Sequence, residues 1–389
     1  MPANDFTTTE YARRLEKTRR AMAAQGLKTL VICDPSNMAW LTGYDGWSFY
    51  VPQAVILHEN GMPMWWGRTQ DKPGAALTTW LEADHLFDWP EEHVQHPDHH
   101  PFDSLVDLLR EYGWTEAIGV EMDNYYYSAR SHEILETAFG RDAFADATGL
   151  VNWQRAVKSE QELQLMQAAG KLSAHMHGVL RAEFNEGIPK NALVARVQAA
   201  GIEGLPLLAG DYPAISPIAP SGIEASASHI TWNDRPLAPG EATYFEISGC
   251  VRRYHCPISR TLFLGSPPED IRRGEKAILQ AIEDTFAVAK PGVTCEEVAA
   301  CVYESFGRAG YIKGNRTGYP VGLSYPPDWG ERTMSLRPGD TTKLEENMTF
   351  HLMPGLWTPD WGMAITETFV VTPNGGEALV DVPREIVVK

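Results

Sequence analysis

From residue 158 onward the chain lays down the same order of elements twice, and this repeated order constrains the fold more than any other feature of the sequence. A helical stretch at 158–186 opens with Ser159-Glu-Gln-Glu, a capping pattern. A second helix at 191–201 and strand-like runs at 213–220, 242–249 and 252–264 follow. The order then recurs: helices at 268–289 and 295–309, joined by Lys290-Pro-Gly, lead to strands at 347–352 and 363–372. Two such halves pack as one α+β domain around a central cavity. The preceding residues alternate instead. A helix at 8–25 stops at Gly26, an apolar strand covers 28–33, and Asp34-Pro-Ser starts another helix. Strands at 52–58 and 62–66 flank Asn60-Gly61, a hairpin signal, and helices at 102–112 and 127–139 bracket a strand at 117–121. The expected organisation is therefore an α/β N-terminal domain over 1–152 and an α+β domain over 153–389. A chain of 389 residues exceeds one ordinary core, which agrees with two domains.

Charge and composition exclude several functions. A net charge of -18 repels nucleic acid and anionic lipid and suits a cationic or zwitterionic small molecule. No apolar run is long enough to span a membrane, and residues 1–9 lack the charged and apolar regions of a secretory signal. The five cysteines are odd in number and lack zinc spacing, as in a reducing compartment. A cytoplasmic protein without nucleic-acid or membrane partners is expected.

Six stretches in order over about residues 210–375 carry a family resemblance. Leu237-Ala-Pro-Gly-Glu with Tyr244-Phe-Glu-Ile-Ser-Gly, Tyr254-His-Cys-Pro-Ile-Ser-Arg-Thr, Ala289-Lys-Pro-Gly-Val, Gly318-Tyr-Pro-Val-Gly-Leu, Leu344-Glu-Glu-Asn-Met-Thr-Phe-His and Gly362-Met-Ala-Ile-Thr-Glu-Thr resemble the creatinase-like "pita-bread" superfamily of creatinase, prolidase and methionine aminopeptidase. The resemblance implies a pita-bread C-terminal domain behind a creatinase-like N-terminal domain. The metallopeptidases of that superfamily bind two metal ions through two Asp, one His and two Glu. Here those positions hold Glu246, Pro257, Tyr319, Met353 and Thr366. Only Glu246 keeps a carboxylate, so no metal and no other cofactor are expected. A one-residue shift along a strand turns a side chain to the other face, so neighbouring Glu367, His351 and His255 are poor substitute ligands.

Creatinase lacks those ligands too and transfers protons through a histidine. Ser221-Gly222 followed by His229 matches the spacing of that histidine, which implies a catalytic role for His229. Ser259 and Thr366 stand where creatinase holds its guanidinium with glutamates, so another carbon flanked by nitrogens is expected as the target. Residues 34–53 and 324–331 resemble the ectoine-hydrolysing branch of the superfamily. The implied reaction opens ectoine, a small zwitterionic cyclic amidine, to N-acetyl-diaminobutyrate. Glu246 is expected either to attack the amidinium carbon directly, the preferred reading, or to hold and activate water, and His229 is the expected proton shuttle. Tyr319, His255, His351, Trp357, Trp361 and Glu367 are candidates for binding the substrate. Tyr44 and Trp47 are candidates for closing the site across a homodimer, as the N-terminal domain does in creatinase relatives. Arg252, Arg260 and Arg316 are the cations available for a substrate carboxylate. The competing expectations are an amidinohydrolase of another guanidine or amidine, a non-catalytic binding protein and, ranked last, a metal-dependent peptidase.

Overall fold

A computed structural model describes residues 6–389. The chain forms two compact units, Met1–Arg155 and Ala156–Lys389.

The first unit is built on one six-stranded sheet. Its strands are β1 (Thr29–Ile32), β2 (Ala54–His58), β3 (Met64–Arg68), β4 (Leu86–Trp89), β5 (Ile118–Val120) and β6 (Phe144–Asp146), in the order β4-β3-β2-β1-β5-β6. The pairs β1–β2 and β2–β3 are antiparallel, and Gly61 in the turn between β2 and β3 has a φ of 87°. Strand alternation sends Leu30 and Ile32 to one face and Val31 and Cys33 to the other. Both faces are covered. Helices α1 (Thr8–Ala24), α2 (Pro35–Thr42), α3 (Lys72–Thr78) and α6 (Leu150–Arg155) pack on the first, and α4 (Pro101–Glu111) and α5 (Ala129–Phe139) on the second. Buried on both sides, the central strands read as continuous apolar runs. Asp34 caps α2 as its sequence signals, its carboxylate accepting from the Ser36 and Asn37 N–H groups.

The second unit places α7 (Glu160–Glu183) and α8 (Lys190–Glu203) ahead of the hairpin β7 (Ala242–Val251) and β8 (Tyr254–Phe263). Then come α9 (Glu269–Val288), α10 (Cys295–Arg308), β9 (Gly318–Pro320), β10 (Thr349–Leu352), β11 (Leu356–Trp357), β12 (Gly362–Met363), β13 (Glu367–Thr372), β14 (Gly375–Ala378) and β15 (Val387–Val388). Strands β14-β13-β10-β9 form one sheet and β15-β8-β7 another. The capping box at Ser159 is present: its hydroxyl accepts from the Glu162 N–H and the Glu162 carboxylate from the Ser159 N–H. A second box at Thr294 and Glu297 opens α10. Helix α7 lies hard against β7. A Cβ built at Gly249 would stand 2.4 Å from the Ala169 carbonyl oxygen and 2.6 Å from Leu172 Cβ, so only glycine permits this approach.

The expected strand at 213–220 does not form. Pro213, Pro217 and Pro220 remove three of the N–H groups a ladder needs, and one isolated bridge remains, between Ile218 and Glu246. That bridge is double: Ile218 N–H donates to the Glu246 carbonyl over 3.1 Å and Glu246 N–H to the Ile218 carbonyl over 2.9 Å. It fixes the backbone at the residue of greatest chemical interest.

Candidate active site

Every residue of β7 is buried except Glu246, whose side chain stays partly accessible. Cross-strand register sets Glu246 opposite Ser259, and the Ser259 hydroxyl donates to Glu246 Oε2 over 2.9 Å. Loss of water around the carboxylate pushes its pKa up to about 7, against the lowering effect of the Ser259 bond. Near neutrality Glu246 thus exchanges readily between acid and carboxylate.

A neutral relay runs from Ser259 into the neighbouring sheet. The Ser259 N–H donates to Thr366 Oγ1 over 2.6 Å, and the Thr366 N–H returns a bond of 3.1 Å to the Ser259 carbonyl. Thr366 Oγ1 lies 2.8 Å from His351 Nε2, and His351 Nδ1 lies 3.1 Å from Tyr319 Oη. Trp329 Nε1–H donates to the same Tyr319 oxygen over 2.8 Å. Register brings His351 and Tyr319 together, as they are direct partners between β10 and β9. His351 is fully buried; burial first, and the Arg316 charge second, bring its pKa down to about 3. The imidazole is therefore neutral and owns one N–H. Thr366, His351 and Tyr319 together carry three protons, and the two bonds joining them consume two. One proton remains to be donated, from Tyr319 or from Thr366 according to the His351 tautomer. Burial holds the Tyr319 phenol well above the usual tyrosine range, so it stays a donor.

A cavity of about 550 Å³ lies beyond Tyr244, lined by His229, Lys313, Gly355 and Trp357 among others. Tyr244 connects the two. It precedes Glu246 by two residues and so shares its strand face. Its hydroxyl donates to the Ala227 or Ser228 carbonyl, at 3.1 and 3.2 Å, and accepts from Trp357 Nε1 over 3.3 Å. His229 is exposed on the loop after the short helical turn Gly222–Ser226 and makes no bond to Glu246.

The structure thus gathers Glu246, Tyr319 and His351 through Ser259 and Thr366, and sets His229 and Trp357 around the cavity beyond Tyr244. Other candidates lie elsewhere. Glu367 is a correction: its carboxylate faces away from Thr366 and pairs with Arg260 at 2.6 Å and Arg384 at 3.2 Å. Adjacent strand residues point to opposite faces, and the ion pair occupies the face turned from the site. His255 is a buried wall residue, its Nε2 accepting from the Ala214 N–H over 2.9 Å, with burial bringing its pKa down to about 4. Trp361 packs edge-on against Tyr311 and joins the core beneath α9 and α10. Tyr44 is a core residue of the first unit, its hydroxyl donating to Gln53 Oε1 over 2.9 Å. Trp47, in the same unit, is 61% exposed. Sequence reasoning passed over Tyr244, Trp329 and Lys313. Strand alternation from Glu246 points to Tyr244; no periodic signal marks the other two.

Known proteins decide the family. Residues 164–373 match metallopeptidase family M24 and residues 14–157 the Creatinase/Prolidase N-terminal domain. An ectoine hydrolase from Halomonas elongata is 50% identical over 99% of this chain and 98% of its own. The chain belongs to family M24. An uncharacterised hydrolase/peptidase from Sinorhizobium fredii is 39% identical over 99% of this chain and 98% of its own. Among solved structures, an Xaa-Pro dipeptidase from Bacillus anthracis superposes with a TM-score of 0.82 at 17% identity, covering 97% of this chain and 100% of that one. The fold of this M24 hydrolase is the α/β creatinase-like N-terminal domain followed by the α+β pita-bread domain.

The family name implies metal ions, and the residues present do not fit them. Among the described residues no group of three or more His, Cys, Asp or Glu could hold a metal. Glu246 faces Ser259, Pro257 faces Ser248, and His351 is bound on both nitrogens by hydroxyls. Ser259, Thr366, His351 and Tyr319 instead form a hydrogen-bonded, uncharged surface beside the one carboxylate of Glu246.

Proposed function

We propose that this M24 member hydrolyses ectoine without a metal ion, opening the ring to N-acetyl-diaminobutyrate. The observation that carries the reading is the single carboxylate of Glu246, held by Ser259 and raised toward neutrality, beside a relay that can donate one proton. A protonated amidine is a flat cation, and a lone carboxylate is its natural partner. The 50% identity to an ectoine hydrolase supports the choice of amidine.

In the proposed reaction Glu246 attacks the amidinium carbon. The C–O bond forms as the C=N π electrons move to nitrogen. A proton delivered from the solvent side by His229 reaches one ring nitrogen, that C–N bond breaks and the ring opens. Tyr319 or Thr366, whichever keeps the spare proton, holds the other nitrogen. Water then attacks the Glu246 carboxyl carbon. The original glutamate oxygen leaves as the acetamide oxygen, and the displaced proton returns to His229. Trp357 forms an aromatic wall to the cavity beyond Tyr244.

The test is incubation of metal-stripped protein with ectoine. Formation of the N-acetyl product at the rate of untreated protein, with no stoichiometric metal by elemental analysis, is expected. Inactivation by chelator that one added metal reverses would overturn the metal-free reading; absence of product from untreated protein would overturn the substrate.

A further inference from the structure

The geometry points to Lys313 as the anchor for the substrate's carboxylate, and so as the residue that selects a zwitterionic amidine over a simple one. This assignment rests on the reaction proposed above. Ectoine carries its carboxylate three bonds from the amidinium carbon. A cation must therefore reach the substrate from a wall other than the strand that carries Glu246, within a side chain's reach.

The three arginines considered from sequence fail this requirement. Arg260 is buried and spent: its guanidinium donates to Glu367, to the Ser259 and Thr366 carbonyls and to the Pro383 and Val382 carbonyls. Arg252 sits in the two-residue turn between β7 and β8, about 20 Å along the strand from Glu246. Arg316 lies 4.4 Å over the Tyr319 ring and donates to Ser335 Oγ over 3.2 Å, and it is not part of the cavity lining.

Lys313 does line the cavity, beside His229 and Trp357. Its ammonium stands 4.9 Å over the Trp357 ring and donates to one neutral acceptor, the Gly355 carbonyl, over 3.1 Å. Among the described residues no carboxylate pairs with it, although the chain holds 51 acidic residues against 33 Lys and Arg. An ammonium has three protons to donate, and two remain for a ligand. Burial without an anionic partner brings its pKa down to about 7, a cost that an incoming carboxylate removes. The cavity thus offers a cationic wall at Lys313, joined through Trp357 and Tyr244 to the strand face that carries the Glu246 carboxylate, and these opposite charges match those of the proposed substrate.

The experiment compares ectoine with the same methylated cyclic amidine lacking the carboxylate. Binding of both to wild type, Lys313→Met, Lys313→Arg and Arg316→Gln is measured by titration calorimetry, with ectoine turnover alongside. Wild type is expected to prefer ectoine by at least about tenfold, the scale of a charge-assisted hydrogen bond. Lys313→Met should lose that preference, while Lys313→Arg and Arg316→Gln retain most of it. The carboxylate-free ligand serves as the internal control for folding, since a collapsed cavity would lose both. Equal losses on both ligands, no loss on either, or transfer of the effect to Arg316→Gln would overturn the assignment while leaving the reaction intact. Wild type that neither binds nor turns over ectoine would overturn the reaction and the anchor together.

Discussion

Glu246 meets two demands that oppose each other. As the proposed nucleophile it must ionise, yet its surroundings favour the protonated form and lift its pKa from 4.5 to about 7. The sign follows directly. The folded state holds the proton more tightly than the unfolded chain, so the stabilisation is full below about pH 4.5 and is lost as pH rises through about 7. Glu246→Gln has no proton to lose. It should cut turnover by at least about 10²-fold, yet at pH 8 unfold at a higher temperature than wild type, with the gap closing toward pH 5. The stability gain is bounded at roughly 3 kcal/mol. A variant less stable at pH 8, or one with near-normal turnover, would remove Glu246 from this role. Heavy-oxygen water tests the covalent step: label should enter the Glu246 carboxylate during turnover, whereas labelled product with an unlabelled glutamate would reassign it as a base for water. The Ser259 hydroxyl is the one hydrogen bond pulling this pKa down. kcat/KM should therefore pass through a maximum near pH 7, Glu246 ionisation setting its acid limb and loss of the Lys313 charge its alkaline limb, and Ser259→Ala should move the acid limb to higher pH. An unmoved profile would separate it from Glu246 ionisation. At this scale the sequence was partly legible. Glu246 could be placed because the family resemblance aligns it with a metal-ligand position, and strand alternation argued against Glu367 as a substitute ligand. Tyr44 was misplaced because a rim aromatic and a core aromatic read alike until packing is known. Lys313 left no signal, since a loop has no period and its value lies in what surrounds it.

The β7–β8 hairpin is the element on which the site depends. Ten cross-strand pairs hold it, the Ile218 bridge clamps its outer edge at Glu246, and α7 closes its back at Gly249. Gly249→Ala would force the new methyl against Ala169 and Leu172, into backbone that cannot step aside. A loss of about 1–3 kcal/mol is expected by chemical denaturation, with a fall in turnover as β7 shifts. Unchanged stability would mean that α7 is free to move away. Regular elements of this unit could be read from periodicity and caps, as α7 and α10 show. The segment at 213–220 could not. Its apolar content suggests a strand, while its prolines forbid a ladder, and only the fold shows that one bridge suffices. The short strands β9, β11 and β12 carry two or three residues each, too few to display a period.

For the whole molecule, the outstanding expectation is assembly. The resemblance to creatinase implies a homodimer in which residues 44–49 of one subunit approach the cavity of the other. Tyr44 is committed to its own core, so the burden falls on Trp47, which exposes 61% of its surface and meets Phe49 edge-on at 4.7 Å. A large aromatic so exposed contributes little to the stability of its own unit. Trp47→Ala should then shift the unfolding free energy by no more than about 0.5 kcal/mol, as a typical surface change does. If Trp47 closes a partner's site, the same variant should raise KM for ectoine severalfold with a smaller change in kcat, because an aromatic wall binds ground and transition states alike. Sedimentation at assay concentration supplies the other half of the test. A dimer whose KM responds to Trp47→Ala fits the expectation; a fully active monomer, or a dimer with an unchanged KM, would confine the site to one chain.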